Sequence, residues 1–157
     1  MRYKFLGTSG MKVSELCLGT MSFGTKWGFG ADEEETRRVI GAYREAGGNF
    51  LDTANKYHEG ESEEFVGRAI ASERDRWVVA TKYTLNTGTG DPNAAGNSKK
   101  TMTRAVEASL RRLGTSYIDL LWVHAWDFTT TVEEVMRGLD DLVRAGKVLY
   151  VGISDAP

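Results

Sequence analysis

Short apolar runs recur along the chain at Leu16-Cys17-Leu18, Asn49-Phe50-Leu51, Trp77 to Ala80, Ile118 to Val123 and Val148 to Ile153. Between them, apolar residues repeat at helical spacing: Val39, Ile40, Tyr43 and Ala46; Phe65, Val66, Ala69 and Ile70; Met102, Val106, Ser109, Leu110 and Leu113; Val135, Leu139 and Leu142. The pattern predicts five strands alternating with four helices. Asp32 with Glu35 and Thr131 with Glu134 have capping-box spacing, and Gly47, Gly114 and Gly146 stand where helices should stop. The segment from Tyr3 to Val13 reads as a hairpin around Gly7-Thr8-Ser9-Gly10. Strands that are apolar throughout, rather than alternating, imply burial on both faces and hence a parallel sheet fed by crossover helices. The fold class is α/β. The stretch from Tyr83 to Ser98, rich in Thr, Asn and Gly, is too long for an ordinary strand-to-helix connection and is predicted to lie as a mobile loop over a site.

At 157 residues the chain has the size of a single domain, 1–157, or of part of a larger one. A hydrophobic share of 41% supplies a core, which excludes a disordered chain. The formal net charge of -2 leaves no basic field for a nucleic-acid backbone. No apolar run approaches the roughly 20 residues that a membrane span needs. The single cysteine, Cys17, cannot form an internal disulfide, so a reducing cytoplasm is the expected setting.

Ligands of parallel α/β folds bind at the carboxyl ends of the strands. The predicted strands exit into Gly19-Thr20-Met21, Asp52-Thr53, Thr81-Lys82, His124 and Ser154-Asp155. Singly, each has a plain structural reading: Asp52 as a helix N-cap, Lys82 as a snorkelling side chain, His124 as a core residue. Together, an acid, a base, an imidazole and a hydroxyl on one rim point to chemistry. Other binding motifs fail on spacing. In Gly19 to Lys26 the lysine falls one place late for a phosphate loop, and Gly28-Phe29-Gly30 has Glu33 where a dinucleotide fingerprint needs a third glycine. Cys17, His58 and His124 lack zinc spacing, so no metal is predicted.

The stretches Phe50-Leu51-Asp52-Thr53-Ala54 to Tyr57, Ala80-Thr81-Lys82, Trp122-Val123-His124 and Val151-Gly152-Ile153-Ser154 resemble the aldo-keto reductases, in that family's order and across the whole chain. The resemblance implies a catalytic tetrad of Asp52, Tyr57, Lys82 and His124. Tyr57 would be the proton donor to a carbonyl, eased by Lys82, which Asp52 would hold, while His124 would position the carbonyl. It further implies NADP(H) contacts from Gly19, Thr20, Met21, Asp52, Ser154 and Asp155. Asp155 stands where many members have Asn. Trp27, Trp126 and Phe128 lie in loops beside the site as candidate substrate-binding residues or as ordinary packing.

The family's fold is a (β/α)8 TIM-type barrel. Asp52 to Ser154 spans 102 residues over three units, so eight units would need about 270, and this chain holds about four βα units plus a fifth strand. By comparison with the family it lacks the last three strands, the residue that stacks on the nicotinamide and the basic segment that grips the 2'-phosphate. The reading is therefore an incomplete barrel that reduces an aldehyde or ketone with NADPH, with weak cofactor binding and weak or absent turnover; the alternative is a silent half-barrel scaffold or binding subunit. Sheet edges without partners predict self-association, most simply a homodimer.

Overall fold

A computed structural model describes residues 1–88 and 90–157. The predicted hairpin is present: β1 (Tyr3–Phe5) pairs antiparallel with β2 (Lys12–Ser14). The chain then alternates through β3 (Leu18–Gly19), α1 (Glu33–Glu45), β4 (Phe50–Asp52), α2 (Glu61–Ile70), β5 (Val78–Tyr83), α3 (Lys99–Leu113), β6 (Ile118–Val123), α4 (Val132–Arg144) and β7 (Val148–Ile153). Strands β3 to β7 form one parallel sheet in strict chain order, with Leu51 opposite Val79, Lys82 opposite Trp122 and Leu121 opposite Val151. An order that never reverses puts every right-handed crossover helix on the same face, which is barrel topology rather than a doubly wound sheet. The fold is α/β, a partial TIM-type barrel.

Two apolar layers hold it. Between helices and sheet, Ile40, Val66, Ile70, Val106, Leu110, Val135 and Leu139 meet Leu51, Val79, Leu121 and Val123. On the opposite face Val13, with Leu6 and Met11 of the hairpin, packs on Phe50, Val78, Ala80 and Leu120. The hairpin thus closes the amino end of the strands and leaves the carboxyl end to chemistry. The caps form as predicted: Asp32 and Thr131 accept the N–H of Glu35 and Glu134, and Gly47, Gly114 and Gly146 take left-handed backbone just past α1, α3 and α4.

Several boundaries differ from the sequence reading. The first strand is Leu18–Gly19, not Leu16 to Leu18, because the Leu16 carbonyl accepts from the Tyr43 and Ser14 hydroxyls instead of a ladder N–H. The third strand runs on to Tyr83, so Thr81 and Lys82 lie within it. As expected of a sheet edge, β7 is exposed from Leu149 to Val151, since only β6 pairs with it.

In the loop before α3, Thr89 lies outside the described residues, and the rest is tied to that helix. Asp91 pairs with Arg104 of α3, and the Thr101 hydroxyl donates to the carbonyls of Asn93 and Ala95, folding the described part back along that helix. At its far end Asp127 anchors it. Burial alone would raise the Asp127 pKa, but the N–H groups of Thr130, Asn97 and Thr129 and the Thr130 hydroxyl outweigh it and hold the carboxyl well below the usual range.

Candidate active site

Asp52 ends β4, Lys82 lies one residue before the end of the neighbouring β5, His124 directly follows β6, and Tyr57 comes five residues after β4. The side chains meet. Lys82 Nζ lies 2.5 Å from Asp52 Oδ2, 2.9 Å from the Thr53 carbonyl and 3.2 Å from Tyr57 Oη. A lysine ammonium has three protons and here it has three acceptors, so its direction is fixed. The Lys82 side chain is 10% exposed and that of Asp52 is 27% exposed, so the pair is only partly screened by water. The ammonium also stands 4.8 Å from the centre of the Tyr57 ring. The His124 ring meets Tyr57 edge-on, with centroids 6.1 Å apart. Burial first, and the Lys82 charge next, lower the His124 pKa, which keeps the imidazole neutral near pH 7.

A cavity of about 540 Å³ adjoins the pair, lined by Cys17, Gly19, Phe50, Asp52, Lys82, Trp122, Ile153 and Ser154. Gly19, Asp52 and Ser154, expected as cofactor contacts, share this wall. The other three expected contacts do not. The Thr20 hydroxyl is fully buried and bonded to the Asp52 carbonyl and the Ser62 hydroxyl, Met21 is exposed, and Asp155 is exposed in left-handed backbone, φ 44°.

The three aromatic candidates separate too. Trp27 lies beside the tetrad, its ring edge-on to Tyr57 with centroids 6.4 Å apart. Trp126 belongs to the helix side of the sheet, where it lines an apolar cleft with Val135, Leu139 and Val151. Phe128 is 77% exposed and lines none of the cavities described. A loop position near a motif does not fix which face of the sheet a side chain takes: Trp126 packs against the apolar layer under the helices, and Phe128 stands in solvent.

Three contributors escaped the sequence reading. Glu63 has no exposed surface: Oε1 accepts the Thr81 hydroxyl at 2.6 Å, and Oε2 accepts Arg112 Nε at 2.6 Å, bracing β5 just before Lys82. Its signal was its spacing, since 63, 66 and 70 fall on the buried face of α2. Trp122 lines the cavity with an indole N–H that is buried and has no partner among the described residues. The third is the backbone after Tyr57. His58, Glu59 and Gly60 are left-handed in succession, φ 48°, 57° and 92°, a conformation that costs an ordinary L-residue about 1–2 kcal/mol. Strain of that kind beside a tetrad residue is consistent with a built site.

The aldo/keto reductase family model matches residues 15–157. This chain belongs to that family. It is 49% identical to norsolorinic acid reductase of Aspergillus flavus over 160 residues, covering 96% of this chain and 41% of the relative. To aryl-alcohol dehydrogenase [NADP(+)] of Phanerodontia chrysosporium it is 48% identical over 162 residues, covering 94% and 42%. The aldo-keto reductase AKR11C1 from Bacillus halodurans, solved in a holo form, superposes with a TM-score of 0.88 at 37% identity, covering 99% of this chain and 50% of that one. The chain therefore spans less than half the length of these curated relatives. Among the described residues no helix is long and apolar enough to cross a membrane, and no cluster of His, Cys, Asp and Glu could hold a metal.

Proposed function

We propose that the chain carries the catalytic half of an NADPH-dependent carbonyl reductase acting on an aromatic aldehyde or ketone. The observation that carries this reading is the Lys82–Tyr57 hydrogen bond. Because Tyr57 Oη accepts from the ammonium, the phenol's own proton is left to point elsewhere, toward a substrate oxygen, and the positive charge stabilises the phenolate that forms when it leaves. Asp52 holds Lys82 in place, and neutral His124 supplies a hydrogen bond to the carbonyl without competing for the proton. The bound nicotinamide supplies the hydride. The cavity fits such a ring: it is roomy, it is floored by Gly19, at which a Cβ would meet nothing within 4 Å, and Ser154 offers a hydroxyl that both donates and accepts, as a carboxamide requires. The aromatic substrate class is supported by the relatives' names and by the Trp27 ring beside Tyr57.

Lys82, already committed to Asp52, is the only cation among the described residues lining that cavity. For this chain by itself we therefore assign weak NADP(H) affinity and slow turnover. Its apolar β7 edge favours self-association, and its one exposed cysteine suits a reducing, cytoplasmic setting.

The test is NADPH oxidation with an aryl aldehyde, run beside a fluorescence titration of NADPH. Turnover that falls in Tyr57→Phe supports the reading, and equal rates in both proteins overturn it. NADPH binding with no Tyr57-dependent turnover favours a silent scaffold, and binding tighter than micromolar overturns the weak-affinity assignment.

A further inference from the structure

Both N–H donors of Trp27 have acceptors. Its backbone N–H donates to His58 Nδ1 at 3.3 Å, and its indole Nε1–H donates to Glu59 Oε1 at 3.2 Å. Its ring stacks on the His58 ring at 4.5 Å and 25°. Phe29 closes a further side, with centroids 6.0 Å from Trp27 and 5.5 Å from His58. His58 itself has no exposed surface and sits in a cradle of glycines: a Cβ at Gly24 would overlap its ring, and one at Gly30 would come within 3.1 Å of Cε1. Accepting at Nδ1 places the imidazole proton on Nε2, which is buried without a partner among the described residues. The left-handed turn at His58 and Glu59 is what brings both acceptors to Trp27.

We propose that His58 and Glu59 are positioning residues that clamp Trp27 as a fixed aromatic wall beside Tyr57, and that this wall gives the site its preference for flat aromatic carbonyls over aliphatic ones. The proposal rests on the carbonyl-reductase reading for its substrate, while the clamp itself stands on contacts alone. A mobile indole would have to be ordered by each incoming ligand; a clamped one offers a preformed face to stack against or meet edge-on.

The chain has four tryptophans, so labelling with 5-fluorotryptophan gives four fluorine resonances, with Trp27 assigned from its loss in Trp27→Phe. His58→Gly keeps the left-handed backbone and removes both stack and acceptor; His58→Asn keeps an acceptor; Glu59→Ala frees only the indole N–H. The Trp27 resonance is expected to move toward its unfolded-chain position in His58→Gly and part of the way in Glu59→Ala, with His58→Asn closer to wild type and the other three signals unmoved. Titration with 4-methoxybenzaldehyde is expected to shift the Trp27 signal, with affinity falling about threefold to tenfold in His58→Gly, the worth of one aromatic pair. Hexanal affinity should not change. If His58→Gly fails to fold, all four signals collapse and Glu59→Ala decides. An unmoved Trp27 signal overturns the clamp, and equal loss for both aldehydes, or none for either, overturns the selectivity. A freed Trp27 with selective loss of the aryl ligand but no NADPH turnover upholds the clamp and counts against the reductase reading instead.

Discussion

Glu63, fully buried, and Arg112, partly buried, form an ion pair, Oε2 to Nε at 2.6 Å, that ties α2 to α3, while the other oxygen of the same carboxylate takes the hydroxyl of Thr81, the residue before Lys82. A carboxylate without exposed surface survives only with such partners. The pair is therefore both a structural tie and a brace behind the tetrad.

Glu63→Ala should destabilise the fold by about 3–5 kcal/mol, because it leaves the Arg112 guanidinium, partly buried, and the Thr81 hydroxyl without their acceptor. Urea denaturation measures this directly. A loss below about 1 kcal/mol would mean that water or a neighbour replaces the carboxylate.

Tyr57→Phe removes one hydroxyl whose one described hydrogen bond is to Lys82. Stability should change by about 1 kcal/mol or less, whereas aldehyde reduction should fall by about 10²-fold or more, the usual worth of a general acid. Paired thermal melts and NADPH assays separate the two. A large drop in melting temperature would make Tyr57 a structural residue.

His124 gives a pH dependence of known sign. Its folded pKa is lowered by burial and by Lys82, so below its ordinary value of 6.5 the unfolded chain binds more protons than the folded one. Its contribution to stability is fully present above pH 6.5 and is lost as pH falls from there through the folded pKa. Compared with His124→Gln, which does not titrate, wild type should lose stability progressively below pH 6.5. Parallel curves from pH 7.5 down to 5 would contradict the assignment.

Leu149, Tyr150, Val151 and Ile153 lie 37–55% exposed on β7, the strand that ends the sheet. Such an edge templates further pairing, so the chain should self-associate at tens of micromolar protein and Val151→Lys should shift it toward monomer. Light scattering after size exclusion reads both. A monodisperse wild-type monomer would remove self-association from the reading.

Much of this was legible in the residues themselves. The period of apolar positions gave four helices and their buried faces, since 3.6-residue spacing is a local property, and the caps at Asp32 and Thr131 are likewise set within four residues. Asp52, Lys82 and His124 could be placed on one rim because parallel strands all present the same end to the same side. The exposure of β7 followed from its place as the last strand of the sheet, not from its own residues: an apolar strand reads alike at the centre of a sheet and at its edge, and only the number of flanking strands differs.

The sequence by itself thus determined the α/β alternation, the strand-end chemistry and the family, all of which depend on local spacing and on motifs read in order. Tertiary structure alone decided that Trp27 faces Tyr57 while Trp126 takes the helix side and Phe128 faces water, that Thr20 spends its hydroxyl on Ser62, and that Glu63 braces the lysine strand from within. Each of these depends on contacts between residues far apart in the chain, or on a loop's choice of side. The free energy of such contacts comes from desolvation and packing against partners that no local pattern encodes.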